Sequence, residues 1–312
     1  TRLAARSAMP LDRLPRSAVA RRPRGLGQQL LVATNALLLL LLLGAPLAAL
    51  VVRSFLGPEG LGLGYYLALG ENRTGAAFFV TPVQALANSL RIATATAIIA
   101  LAVGLPATYL LAGRRSGAYV RAQPSHLPSW LAGMFSRATA VPLLDALFML
   151  PLGTSAVTLG LGYMVALSTP TLAPLRSWPW LIPLAHSLVA LPFVIRTLLP
   201  ALRGRNPRLA EVAATLGAGR WRAWLYVELP LMMPSIITGA VFAFTVSLGE
   251  FGASLLLARP AAPTLPVMIF RLLGQPGALN YGQAMAMSSI LMLTTALSFL
   301  ALERIRPPGG EF

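Results

Sequence analysis

Seven consecutive leucines, Leu37 to Leu43, sit inside an apolar run that extends from Leu30 to Val52. A helix needs about 20 apolar residues to cross the hydrocarbon core of a bilayer, and this run exceeds that length. Inside lipid the backbone can satisfy its own N–H and C=O groups only as a helix or a closed barrel. The run therefore restricts the architecture before any other feature is weighed. Five further stretches qualify: Ile92–Ala112, Val141–Leu167, Trp180–Leu202, Leu231–Ala258 and Gly282–Leu302. The expected fold class is an all-α membrane protein with six transmembrane helices. The fourth stretch is the least uniform, with His186, Arg196 and three prolines, which membrane helices accept when neighbours re-satisfy the freed backbone groups. A secretory h-region is 7–15 residues long, so the first run is read as a span although Arg21 and Arg22 precede it.

Composition agrees. The 312 residues are 56% hydrophobic and only 11% charged, whereas a soluble domain carries about 25% charged residues. The formal charge of +16 does not point to nucleic acid, because the arginines sit at the ends and in the loops of apolar runs, where topology is written. All 25 basic residues are Arg. Without Lys a GxxxxGK[ST] phosphate loop cannot form, so the chain does not hydrolyse ATP by that route. With no Cys and two His, disulfides, thiolate sites and a metal cluster are not expected. Neither a cofactor nor an enzyme active site is indicated, since no paired carboxylates or nucleophile–base spacing emerges.

Eighteen arginines fall on one side of the six spans and six on the other, with Arg196 inside the fourth. The positive-inside rule then puts both termini and the 203–230 connection in the cytoplasm. Residues 1–28 read as an Arg-rich cytoplasmic tail or as a linker between two halves of a longer chain, 29–306 as the six-span domain, and 307–312 as a C-terminal tail. Gly113–Ala138 reads as a polar loop, and Arg53–Arg91 as the largest outer connection.

Between the fourth and fifth spans runs EVAATLGAGRWRAWLYVELP, Glu211 to Pro230. Asn206-Pro207 signals a turn. Leu209, Val212, Ala213 and Leu216 then recur on one helical face. Glu211 falls in the first turn, where the helix dipole favours an acid, and Gly217-Ala218-Gly219 ends the helix. Trp221, Trp224 and Leu225 form a second apolar patch beside Arg220 and Arg222, and Leu229-Pro230 closes the element and opens the fifth span. On these residues alone, two readings stand: a helix that merely anchors the loop in the headgroup layer, or a docking surface.

The spacing resembles the EAA signature of binding-protein-dependent ABC importer permeases. Glu211, Val212 and Ala213 stand at the triplet, Gly217 (followed by Ala218) at its glycine, and Val227, Leu229 and Pro230 at the I-x-LP end. Val212 replaces the first Ala of the pattern and Val227 its Ile. The resemblance implies a cytoplasmic coupling helix that docks on a separate, dimeric ATPase subunit. It also implies an extracytoplasmic substrate-binding protein, a second permease half (fused or as a homodimer), and a place in a bacterial-type cytoplasmic membrane. VSLGEFGASLLL (Val246–Leu257) is similar to a fifth-span motif of permeases for thiamine, ferric iron, molybdate and sulfate. PTLPVMIFRLLGQPGALNYGQAMAMS and FMLPLGTSAVTLGLGYMVAL are most similar to the thiamine and ferric-iron branch, in which two halves are commonly fused. The likeness covers roughly residues 30–306.

Within the spans, Glu250 is costly to bury, at least about 2.5–3.5 kcal/mol on insertion scales. It reads either as a wall of the translocation path or as a packed carboxyl, protonated or paired with Arg. Ser155 and Ser247 are the other path candidates, and interhelical hydrogen bonding is their plainer role. His186 reads as an interhelical hydrogen bonder, Asp145 as reaching the interface, and Arg196 as snorkelling.

Overall fold

The computed structural model describes residues 25–57, 60–70, 80–112, 137–206 and 208–305. Most of the expected tail and linker, nearly all of the Gly113–Ala138 loop and the C-terminal tail lie outside the described residues. The chain divides into two units, Thr1–Leu50 and Val51–Phe312. The helix α1 runs from Leu26 to Phe55, and none of its residues between Leu26 and Gly44 is buried.

In the second unit the order is α2 (Pro82–Ala112), α3 (Arg137–Gly153), α4 (Ala156–Ala166), α5 (Leu181–Arg203), α6 (Arg208–Thr215), α7 (Trp221–Gly249), α8 (Gly252–Leu257), α9 (Leu265–Leu273) and α10 (Ala278–Ile305). Leu56–Gly57 pairs with Gly60–Leu61, the one strand ladder among the described residues. Among the described residues, five helices are long and apolar enough to cross a membrane, or six segments if the bent pair α3–α4 counts as one. The expected all-α, multi-span architecture is therefore the one observed.

The core is built on α5, which packs along α2 and α7. Small residues carry the contact: Ala97, Ala100, Ala190 and Ala243 are buried beside Val194, Leu198 and Met232. A Cβ on Gly104 would come within 2.7 Å of Val194 Cγ1. In lipid, apolar burial gives no drive between helices, so close backbone approach through small side chains supplies the packing. A second cluster joins α9 and α10 to Tyr65 and Leu69, and Gln283 Nε2 donates to the Ala68 carbonyl at 2.7 Å.

Two expected spans are corrected. Val141–Leu167 is not one helix: α3 and α4 meet at a bend of 101°, after Pro151 and Gly153. Leu231–Ala258 is not one helix either: α7 ends at Gly249, Glu250 is extended (φ −73°, ψ 112°), and the short α8 follows. The segments beyond the two breaks pack on each other. A Cβ on Gly160 would lie 3.0 Å from Ala253 Cα, and one on Gly252 would lie 2.8 Å from the Val157 nitrogen. Irregular backbone at membrane depth is tolerated only where protein or a water-filled cavity surrounds it; α4 packs over the α7–α8 break, where Glu250 is buried, while Gly153 and Ser155 at the α3–α4 break are exposed. Gly249, by contrast, has open space around it.

The loop is corrected too. Leu229-Pro230 does not close an element, because the helix continues from Trp221 into the span through a π turn at Trp224–Glu228. Proline lacks the N–H that would pair with the carbonyl four residues back. That carbonyl belongs to Tyr226, inside the π turn, whose wider hydrogen-bond pattern accommodates it. The same device occurs in α1, where the π turn Leu40–Gly44 contains the carbonyl that Pro46 leaves unpaired.

Candidate functional site

The loop from Arg203 to Leu229 is built from the turn upward. The Arg208 amide donates to Asn206 Oδ1 at 3.0 Å and starts α6. At its other end the Gly217 amide donates to the Ala214 carbonyl and the Ala218 amide to the Ala213 carbonyl, both at 3.0 Å. With Gly217 at φ +80°, this is the Schellman arrangement, in which a left-handed glycine reverses the chain. The helix stop expected at Gly217-Ala218-Gly219 is thus present, and its cause is backbone conformation. A Cβ at Gly217 would meet nothing within 4 Å.

The expected apolar face of α6 is split. Ala213 is buried, while Leu209, Val212 and Leu216 are exposed, Leu216 at 82%. Glu211 is exposed beside them, and Ala218 is half-buried. Trp221, 70% exposed, stacks on Trp224 with ring centroids 4.9 Å apart. Val227 and Leu229 are half-buried and Pro230 is exposed. The loop therefore presents Glu211, Val212, Leu216 and Trp221 outward.

What holds the loop was not read from the sequence. Glu228, at the variable position of the V-x-L-P end, forms an ion pair with Arg205 at the loop's start. Tyr109, near the end of α2, donates to Glu228 Oε2 at 3.2 Å and accepts from Trp224 Nε1 at 3.0 Å. Arg203 Nη2 donates to the Leu111 carbonyl at 3.3 Å. The two ends of the loop are thus closed on each other and on α2. The Arg205 and Glu228 side chains keep only 19% and 15% of their exposure, so this pair is screened less than a surface bridge. An acid inside the motif was visible in the sequence, but its partners at 23 and 119 residues' separation were not.

Ser247 and Glu250 lie at the α7–α8 break, and Ser155 at the α3–α4 break. Ser247 belongs to a buried relay. His186 Nδ1 and Nε2 sit 2.8 Å from Ser247 Oγ and Ser254 Oγ respectively, Ser247 donates to Thr96 Oγ1 at 3.1 Å, and Thr96 donates to the Pro183 carbonyl at 3.4 Å. Counting protons backward from that carbonyl makes Ser247 an acceptor from His186 Nδ1–H and Ser254 the donor to Nε2. His186 is neutral in this arrangement and clasps both sides of the α7–α8 break. The interhelical role expected for it is the one observed.

Glu250 is 9% exposed, and among the described residues no arginine pairs with it. Its Oε1 accepts from the Ala253 amide at 3.0 Å, capping the first turn of α8. A carboxylate there satisfies an orphan N–H and favours the positive end of the helix. Ser155 is exposed and makes no capping bond to α4, so it joins neither group. Asp145 and Arg196 meet each other at 3.9 Å, across α3 and α5.

The 2-aminoethylphosphonate transport system permease protein PhnV of Salmonella paratyphi A, itself named as putative, is 31% identical over 168 residues, covering 54% of this chain and 62% of that relative. The molybdenum transport system permease protein ModB of Escherichia coli K12 is 32% identical over 173 residues, covering 51% and 73%. The sulfate transport system permease protein CysT of the same strain is 30% identical over 203 residues, covering 59% and 70%. A chain in the crystal structure of a bacterial ABC transporter involved in the import of the acidic polysaccharide alginate superposes with a TM-score of 0.59 at 20% identity, covering 90% of this chain and 97% of that one; at that identity the likeness is one of fold. Residues 124–307 match the family described as binding-protein-dependent transport system inner membrane component. With more than half of the chain matched and the break-and-loop architecture in place, the chain belongs to that family of inner membrane components.

Proposed function

We propose that the chain is the permease component of an ABC importer, with α6 as the coupling helix that receives the work of a separate ATPase subunit. The observation that carries this is the presentation of α6: it is capped at both ends, the α7 turn that follows it is pinned to α2 through Tyr109, and Val212, Leu216 and the neighbouring Trp221 are exposed beside Glu211. An interfacial anchor needs the apolar residues but not a two-ended polar clamp. A part that transmits displacement needs both. The arginine distribution supports a cytoplasmic α6 and cytoplasmic termini.

Transport then follows alternating access. An extracytoplasmic binding protein delivers the substrate, and ATPase closure displaces α6. The clamp carries that displacement into α2 and α7, and the far end of α7 holds the α7–α8 break. Broken helices are where transporters place their binding sites, which keeps Ser247 beside the path and gives Glu250 a structural part in it. A second permease unit, fused or separate, supplies the second coupling helix. For substrate we favour a small oxyanion over thiamine or ferric iron, because the relatives above are named for a phosphonate, molybdenum and sulfate.

Reconstitution in proteoliposomes with the ATPase and binding protein tests the reading. Uptake is expected only with ATP inside and both partners present. Uptake that persists without the ATPase and follows an ion gradient would identify an ion-coupled secondary transporter instead. No uptake under either condition would leave a membrane-anchored structural partner without a pore.

A further inference from the structure

At the opposite end of the helices from the coupling loop, three arginines from three separate stretches converge. Arg91 stands on α2, Arg176 in the α4–α5 connection, and Arg259 just after α8, and all three line one cavity of about 210 Å³ with Asn88, Trp178 and Leu181. Arg91 and Tyr109 are 18 positions apart on one helix, about 27 Å at 1.5 Å per residue. That nearly equals the roughly 30 Å hydrocarbon core, so the cavity and the loop clamp belong to opposite membrane faces.

The convergence is built rather than incidental. Asn88 Nδ2 donates to the Pro263 carbonyl at 3.5 Å, and the Leu265 amide donates to Ser89 Oγ at 2.6 Å. These bonds hold the segment that follows Arg259 against the turn of α2 that precedes Arg91. Among the described residues the ion pairs are Arg196–Asp145 and Arg205–Glu228, so none of the three guanidinium groups pairs with a described carboxylate. Three cations beside an apolar wall concentrate positive potential, because the low-dielectric side cannot screen it.

We propose that this cavity binds a tetrahedral oxyanion group. The guanidinium fork matches the spacing of two oxygens on phosphate, phosphonate, sulfate or molybdate. Three forks offer more donors than the two oxygens of a carboxylate use. The volume lies below the roughly 300 Å³ at which drug-sized pockets begin, which suits a small anion or a single headgroup. The group comes either from a free oxyanion at the mouth of the permease or from the phosphate of an anionic lipid, with Trp178 at the interface in both cases. That the cavity faces outward rests on the topology proposed above; its binding of the anion does not.

The test uses the full chain in nanodiscs. In phosphatidylcholine discs, sulfate and molybdate binding is measured calorimetrically at constant ionic strength against chloride. In discs containing phosphatidylglycerol, lipid retained by the released protein is measured by native mass spectrometry. Arg91→Gln, Arg176→Gln and Arg259→Gln are compared singly and together, with Arg271→Gln as a neighbouring control and the melting temperature as the check on folding. Saturable oxyanion binding that falls about tenfold for each single change and vanishes in the triple variant assigns the site to a free anion. Absence of oxyanion binding, with phosphatidylglycerol retained by the native chain and lost by the triple variant, assigns it to lipid. Binding of neither, or binding unchanged in the folded triple variant, overturns the proposal. Should the triple variant fail to fold, the single variants decide by the same measure. No ATP or partner enters the assay, so its failure leaves the importer reading standing, and failure of driven uptake leaves this site standing.

Discussion

Glu228→Gln removes one charge from the loop clamp and little else. Gln is close to isosteric and can still accept from Tyr109, which now donates at 3.2 Å. The change therefore isolates the ion pair with Arg205. A fully exposed pair is worth roughly 0–1 kcal/mol, whereas breaking a fully buried one costs roughly 3–5 kcal/mol. With 19% and 15% of their exposure remaining, Arg205 and Glu228 lie between these limits, and about 2 kcal/mol is expected. That is close to a thirtyfold shift toward a loop whose two ends have parted. The expected phenotype is uncoupling: the ATPase still co-purifies, since α6 itself is untouched, but transport per ATP hydrolysed falls severalfold. Arg205→Ala should give the same phenotype. The double variant should be no worse than either alone, because groups that act as a pair are not additive. Unchanged coupling in Glu228→Gln, or additive losses in the double variant, would refute the clamp.

Gly217 is constrained by its backbone angle rather than by space, so Gly217→Ala should cost about 1–2 kcal/mol of loop stability and Gly217→Asn less; ATPase co-purification, with membrane insertion as control, reads the order. His186→Leu orphans Ser254 and deprives Ser247 of one partner, which predicts a loss of about 2–4 kcal/mol, read as a lowered melting temperature in detergent. Adding Ser247→Ala and Ser254→Ala should recover part of that loss, because no buried hydroxyl of the pair then lacks a partner. Gly252→Val should disrupt the α4–α8 contact, where the Val157 nitrogen lies 2.8 Å from the added carbon, whereas Gly249→Ala meets nothing within 4 Å. Comparable destabilisation by the two would contradict the packing described for the breaks.

The parts legible in the sequence were those encoded within a single helix. Leu37–Leu43 marked α1 by hydrophobic length alone, and Gly217 marked the end of α6 because a left-handed residue after a helix favours glycine. The breaks at Ser155 and Glu250 were not legible, since a bent pair and a straight span are equally apolar along the chain. What separates them is the contact of Gly160 with Ala253 and of Gly252 with Val157, nearly a hundred residues apart. Glu250 was legible only in part for the same reason: its cost of burial was read correctly, but the Ala253 amide that meets it exists only because α7 stops one residue earlier. Tyr109 gave no signal, as a tyrosine near the end of a span is ordinary at an interface. Its meaning comes from Glu228 and Trp224 arriving beside it.

The chain has no cysteine, so a single introduced thiol reports unambiguously. Leu216→Cys, on the exposed face of α6, and Leu172→Cys, in the connection at the opposite end, can each be oxidatively cross-linked in membranes holding the ATPase subunit with a matching surface cysteine. The account predicts a permease–ATPase cross-link from position 216, altered by ATP, and none from position 172. An ATPase captured from position 172, or no contact at 216 in a transporting assembly, would contradict the claim that α6 is where the motor engages.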